Sequence, residues 1–132
     1  MKALGNQLIA ELYGCDAQII DSVQKVEQIF VEAANKANAT VIEHNFHNFS
    51  PHGVSGAVII KESHFAVHTW PEFGYCAVDI FTCGDLTDNS AALAVIKNGL
   101  QAEHISVTEL RRGLLDLVGN FNKPSEKQRT DS

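Results

Sequence analysis

Apolar positions along the chain change period several times, and each change marks an element. Between residues 22 and 37, Val23, Val26, Ile29, Phe30, Ala33 and Ala37 recur at the spacing of one helix face. Asp21 precedes the run as an N-cap, and Gln24 stands where a capping box places Glu or Gln. A second helix is predicted over residues 89–101, with Ala92, Leu93, Ile96 and Leu100 on one face and Asp88 as its cap. Elsewhere the pattern alternates or forms short apolar runs. These predict strands at residues 3–13, 39–48, 54–60, 64–70, 75–82 and 104–110. In the strand at 39–48, Ile42, His44 and Phe46 fall on one face. Turn residues break the pattern at Gly14 and Asp16, at Ser50-Pro51-His52-Gly53 and at Pro71-Glu72-Phe73-Gly74. From Asn120 onward the chain is polar and reads as a flexible tail, residues 120–132.

The order is strand, helix, four strands, helix, strand. Short loops between the strands spanning 54–82 demand antiparallel pairing. Two helices can cover only one face of such a sheet, so the expected fold is a two-layer α+β domain over residues 1–119. A chain of 132 residues fits one such domain. The second sheet face is left bare. Its simplest cover is the same face of a second copy, which gives a homodimer layered as an αββα sandwich.

Composition narrows the class. At 45% hydrophobic the chain is globular. Its net charge is −6 and no basic cluster exceeds Arg111-Arg112, which argues against nucleic acid as a partner. No apolar run approaches a membrane span, and the first residues lack the pattern of a signal peptide. Three cysteines without paired spacing do not form a disulfide framework, so a cytoplasmic protein with reduced thiols is expected. Cys15 and Cys76 read as small buried hydrophobes. Cys83 ends a strand beside Gly84 and Asp85, where a thiol can be exposed. Five of the six histidines lie between residues 44 and 68, but without the spacing of a zinc helix or a paired-cysteine site, so no metal is expected. Gly53-Val54-Ser55-Gly56-Ala57 imitates a hydrolase nucleophile elbow and fails it, because Ala57 stands where the second glycine belongs.

Taken in order, these pieces resemble a known family. The run Glu62 to Asp85, ESHFAVHTWPEFGYCAVDIFTCGD, is similar to the short bacterial and archaeal type of S-adenosylmethionine decarboxylase. So are FHNFSPHGVSGAVII before it, the opening LIAELYGCD, and Glu109-Leu110-Arg111-Arg112-Gly113. The resemblance spans about residues 3–113. It departs at Gln7, where many relatives carry His, and at His52, where many carry Gln.

The resemblance implies an inactive proenzyme that cuts itself between Glu62 and Ser63. The Ser63 hydroxyl attacks the Glu62 carbonyl, the resulting ester eliminates, and hydrolysis leaves a pyruvoyl group at the new N-terminus. The products are a β chain, residues 1–62, and an α chain, residues 63–132. Such a ketone serves as the electron sink that decarboxylation requires, in place of pyridoxal phosphate. By the same resemblance Ser55 steadies the oxyanion of processing, His68 is the base for elimination, and Cys83 protonates the product. Phe49 stacks on adenine, and Glu72 holds the ribose hydroxyls. The implied product is decarboxylated S-adenosylmethionine, an aminopropyl donor for polyamine synthesis. Two other readings compete: the same chemistry on ornithine or arginine, and a non-catalytic homologue that regulates an active copy.

Strand geometry adds an expectation about which copy supplies which residue. A hairpin with Lys61-Glu62 at its tip pairs Ile60 with Ser63, and the same register puts Ser55 opposite His68. A three-residue loop Glu72-Phe73-Gly74 in the next hairpin would put Ser63 opposite Cys83. Ser63 and His68 are five residues apart on one strand, roughly 16 Å at 3.3 Å per residue, and alternate to opposite faces unless a bulge intervenes. Each site is therefore expected to take Ser63 and Cys83 from one copy, and Ser55 and His68 from the other.

Overall fold

The computed structural model describes residues 2–61, 63–83 and 87–119. The chain runs β1 (Ala3–Tyr13), α1 (Ala17–Ile20), α2 (Val23–Lys36), β2 (Val41–Asn48), β3 (Val54–Ile60) and β4 (Ser63–Trp70). A 3₁₀ turn, Pro71–Phe73, leads to β5 (Tyr75–Cys83), α3 (Asn89–Leu100), β6 (His104–Leu114) and the single turn α4 (Leu115–Val118). The strands form one antiparallel sheet in the order β2-β3-β4-β5-β1-β6. The α+β expectation holds, with α2 and α3 on one face.

Alternation along each strand sends one set of side chains under the helices. Val54, Val58 and Ile60 of β3, Phe65 and Val67 of β4, Val78 and Ile80 of β5, and Leu8, Ala10 and Leu12 of β1 are buried there. They meet Val26, Phe30 and Ala33 of α2 and Ala92, Ile96 and Leu100 of α3. Full burial of a side chain the size of Phe30 or Phe65 contributes about 1.5–3 kcal/mol. Gly56 belongs to this layer for a steric reason. The Phe46 ring lies across β3, and a Cβ on Gly56 would sit 2.1 Å from it.

Three local expectations change. Ser22, not Asp21, caps α2, accepting the Lys25 N–H; Asp21 closes the preceding turn α1, its N–H bonded to the Ala17 carbonyl. Ile42 does not share its neighbours' surroundings. A register shift between Val41 and Glu43 leaves it exposed, while Phe46 packs on Phe30 and His44 reaches Glu27 on α2 at 2.8 Å. The β4–β5 loop has four residues rather than three, because Pro71 opens a 3₁₀ turn and Trp70 pairs with Tyr75.

The opposite sheet face carries Ser55, His68, Cys83, Glu11 and Asp79, interspersed with the large exposed side chains Tyr13, Ile59, Trp70 and Leu110. At one corner Tyr75 contacts both Tyr13 and Trp70, with ring centroids 5.5 and 5.3 Å apart. The Tyr75 hydroxyl donates to Glu11 at 2.6 Å. Its burial and that carboxylate raise the phenol's pKa and keep it protonated. No helix among the described residues is long and apolar enough to cross a membrane.

Candidate active site

Two pairs of polar side chains sit on this sheet, some distance apart on β4. The first joins the start of β4 to the end of β5. Ser63 Oγ lies 3.3 Å from Cys83 Sγ. The longer loop makes Thr82 the register partner of Ser63, so the expected pairing with Cys83 is off by one residue. The side chains meet nonetheless. Ser63 has φ of +154°, outside the range of ordinary strands, so the alternation of β4 does not extend to it. Cys83 is exposed and Ser63 half-buried. Glu62 lies outside the described residues.

The second pair joins β3 to β4. Ser55 and His68 are register partners, as expected, and Ser55 Oγ is 2.8 Å from His68 Nδ1. That bond fixes the imidazole and leaves Nε2 as the nitrogen able to act on another group. When Nδ1 holds the proton and donates it to Ser55, Nε2 carries the free lone pair of a base.

A third group surrounds the β2–β3 loop. Phe49 is half exposed, its ring edge-on to His47 at 4.6 Å between centroids. His52 Nε2 is 3.5 Å from Glu72 Oε2, which brings the loop against the 3₁₀ turn. These two also line a cavity of about 320 Å³ with Gln18 and Asp21.

Contacts that sequence reasoning did not assign hold this region in place. Thr69, buried beside His68, accepts the Val54 N–H at 2.9 Å and donates to the Ile20 carbonyl at 2.7 Å. It thereby ties both strands of the Ser55–His68 pair to α1. Asp21 and Asn48 bind Gly53. Apart from Asn48, five residues from Gly53, each partner is far away in the chain, so no local pattern announces these roles.

The remaining candidates have structural occupations. Cys15 and Cys76 are buried against each other as free thiols. Their hydrogen bond, with Cys76 as donor, lowers the pKa of Cys15 and raises that of Cys76. Among the described residues no group of three His, Cys, Asp or Glu side chains gathers to hold a metal.

A sequence profile described as S-adenosylmethionine decarboxylase matches residues 6–113. The chain belongs to the S-adenosylmethionine decarboxylase family. Within it, a protein from Caldicellulosiruptor saccharolyticus is 53% identical over 116 residues, covering 88% of this chain and 94% of that one. One from Acidithiobacillus ferrooxidans is 48% identical over 119 residues, 90% of each chain. Both are named S-adenosylmethionine decarboxylase proenzyme. The crystal structure of the adenosylmethionine decarboxylase from Aquifex aeolicus superposes with a TM-score of 0.81 at 38% identity, over 86% of this chain and 94% of that one. Both site pairs, Ser55–His68 and Ser63–Cys83, fall inside the stretch that matches the family.

Proposed function

We propose that this chain is a self-processing S-adenosylmethionine decarboxylase, cut between Glu62 and Ser63, whose product is an aminopropyl donor for polyamine synthesis. The contact of Ser63 Oγ with Cys83 Sγ carries the reading. It puts a nucleophile at the proposed cleavage point beside a proton donor. The names of the relatives as proenzymes support it.

Ser63 fits the precursor of a pyruvoyl group. Its hydroxyl is half-buried at a strand end, and a backbone at φ +154° costs a non-glycine residue of order 1–3 kcal/mol. Breaking the adjacent peptide bond relieves that strain. In processing, Ser63 Oγ attacks the Glu62 carbonyl carbon and the acyl group passes from nitrogen to oxygen. The Ser55 hydroxyl steadies the oxyanion. His68 removes the α-proton of residue 63 as the ester C–O bond breaks, and Glu62 leaves as a carboxylate ending the β chain, residues 1–62. Water then displaces ammonia from the remaining dehydroalanine, and the α chain, residues 63–132, has a blocked N-terminus.

The pyruvoyl group supplies a carbonyl that condenses with the substrate amine and accepts the electron pair left when carbon dioxide departs. The chain's own residues do the rest. Cys83 holds a proton beside position 63 for the product's α-carbon. Phe49 offers a ring face to adenine, and Glu72 a carboxylate to the ribose hydroxyls.

One copy does not hold the whole site. The Ser63 and His68 positions are roughly 16 Å apart along β4. Two copies stacked through their bare sheet faces, about 10 Å apart, bring the Ser63–Cys83 corner of one over the Ser55–His68 pair of the other. In this reading the enzyme is a cytoplasmic homodimer that becomes two α and two β chains, with residues 1–119 as its domain; the expected tail, residues 120–132, lies outside the described residues.

Purified protein incubated without protease should resolve into two fragments by mass spectrometry, the second lacking a free amine. The processed protein should release carbon dioxide from carboxyl-labelled S-adenosylmethionine in preference to ornithine or arginine. A chain that stays whole with an intact serine after long incubation would defeat the processing reading. Release from ornithine or arginine alone would defeat the substrate.

A further inference from the structure

Gly53, itself buried, lies at the centre of a half-buried knot of hydrogen bonds. Its N–H donates to Asp21 Oδ1 at 2.9 Å. Its carbonyl accepts both the Phe49 N–H at 2.8 Å and Asn48 Nδ2 at 2.9 Å. Asn48 Nδ2 is also 3.4 Å from the Asp21 carbonyl. Gly53 has φ of +113°, a conformation side chains rarely adopt, and a Cβ there would meet the Thr69 carbonyl at 3.2 Å. The loop Asn48–Gly53 is thus clasped across its neck.

The clasp is anchored outside the sheet. Asp21 joins α1 to α2: its own N–H caps α1, and the next residue caps α2. Its carboxylate therefore projects from a backbone fixed on both sides. The loop it holds carries Phe49, and His52, which approaches Glu72 to 3.5 Å.

We propose that Asp21 is a positioning residue for the nucleoside end of the substrate, acting through Gly53 to set Phe49 and, through His52, Glu72. The proposal rests on the reading of Phe49 and Glu72 as nucleoside contacts. Asp21 does not hold the processing pair. Ser55 and His68 are fixed by the β3–β4 ladder and by Thr69. Loss of its carboxylate should accordingly separate substrate binding from self-cleavage.

The test compares Asp21→Ala, Asp21→Asn and Phe49→Ala for extent of self-cleavage and for kcat and KM of the processed protein. Asp21→Ala should cleave as the parent does and raise KM by at least about tenfold, the low end for a hydrogen bond to a charged group. Its kcat should stay within about twofold, the pattern of lost uniform binding. Asp21→Asn keeps an acceptor for the Gly53 N–H and should restore KM. In the double variant with Phe49→Ala, Asp21→Ala should add less than it does alone, because its effect through Phe49 is already gone and only that through His52 and Glu72 remains. A parental KM for Asp21→Ala, with Phe49→Ala impaired, overturns the positioning role alone. A parental KM for Phe49→Ala overturns the nucleoside reading of Phe49 beneath it. Equal losses of cleavage, kcat and KM that Asp21→Asn does not restore show a folding role and also overturn it. If Asp21→Ala is insoluble, Asn48→Ala carries the test: a raised KM with normal cleavage supports the clasp, and a parental KM refutes it.

Discussion

A Cys83→Ala protein is expected to cut itself to completion and then to release carbon dioxide on the order of 10²–10⁴ times more slowly than the parent, the range lost with a general acid. The two halves of this expectation have separate grounds. Processing needs a hydroxyl, a carbonyl and a base. In the proposed processing Ser63 would supply the first, Glu62 the second and His68 the third, so removal of the thiol would leave each in place. Turnover needs a proton at the product's α-carbon after carbon dioxide has left. Cys83 is the exposed group in contact with Ser63, at 3.3 Å. The rate must be measured on fully processed protein, with completion confirmed by mass, so that slow cleavage is not mistaken for slow chemistry. Parental turnover by such a sample would remove Cys83 as the main donor. Failure to cleave would show that the thiol also acts in processing.

Co-expression of Ser63→Ala with His68→Ala should rescue cleavage that neither variant shows alone. In the proposed dimer, a mixed pair would have one site that draws Ser63 from the His68→Ala copy and His68 from the Ser63→Ala copy, and that site would be complete. The other site lacks both. Cleavage should therefore be confined to the His68→Ala chain, which a mass tag on one variant would reveal. The effect is all or nothing at each site, which makes it sharper than any rate comparison. Tag-verified mixed dimers that stay whole would place both residues in one copy and end the shared-site reading.

Much of the fold is legible in the sequence. The helical periods of α2 and α3 and the alternation of the strands sufficed for the layers, because burial on one face is what those patterns encode. The register of β3 with β4 was also legible, since a two-residue tip leaves little freedom. The next hairpin differs from its sequence expectation by one residue. Pro71 starts a 3₁₀ turn instead of extending β4, and the loop gains a residue. The Ser63–Cys83 contact survives because Ser63 leaves strand geometry, a feature that alternation cannot foresee. On local grounds Asp21 has the makings of a cap. Ser22 caps α2, and the Asp21 carboxylate finds Gly53 instead, 32 residues along the chain. The one-turn α1 has too few residues to show a period. Ile42 shows the converse error: a correct period was broken by a shift in pairing.

The order of strands has a consequence for the life of the enzyme after the proposed cut. One fragment would own β1, β2 and β3, and the other β4, β5 and β6. In the sheet, β1 lies between β5 and β6, and β3 lies beside β4. Three ladders, β3–β4, β5–β1 and β1–β6, would then join different molecules. The fragments would be interlaced and could not separate without dismantling the core. Before the cut, closing the sheet of one copy is a unimolecular event. After it, the same sheet can be rebuilt from denatured material only by an encounter of two chains, so recovery obeys mass action. Refolding of denatured mature enzyme should slow on dilution even at the step that forms the sheet, whereas uncut Ser63→Ala should recover its strand signal at a rate independent of concentration. Maturation would thus be a ratchet: the sequence carries the instructions for assembling the single chain, and the finished pair inherits a shape that it regains far less readily once lost.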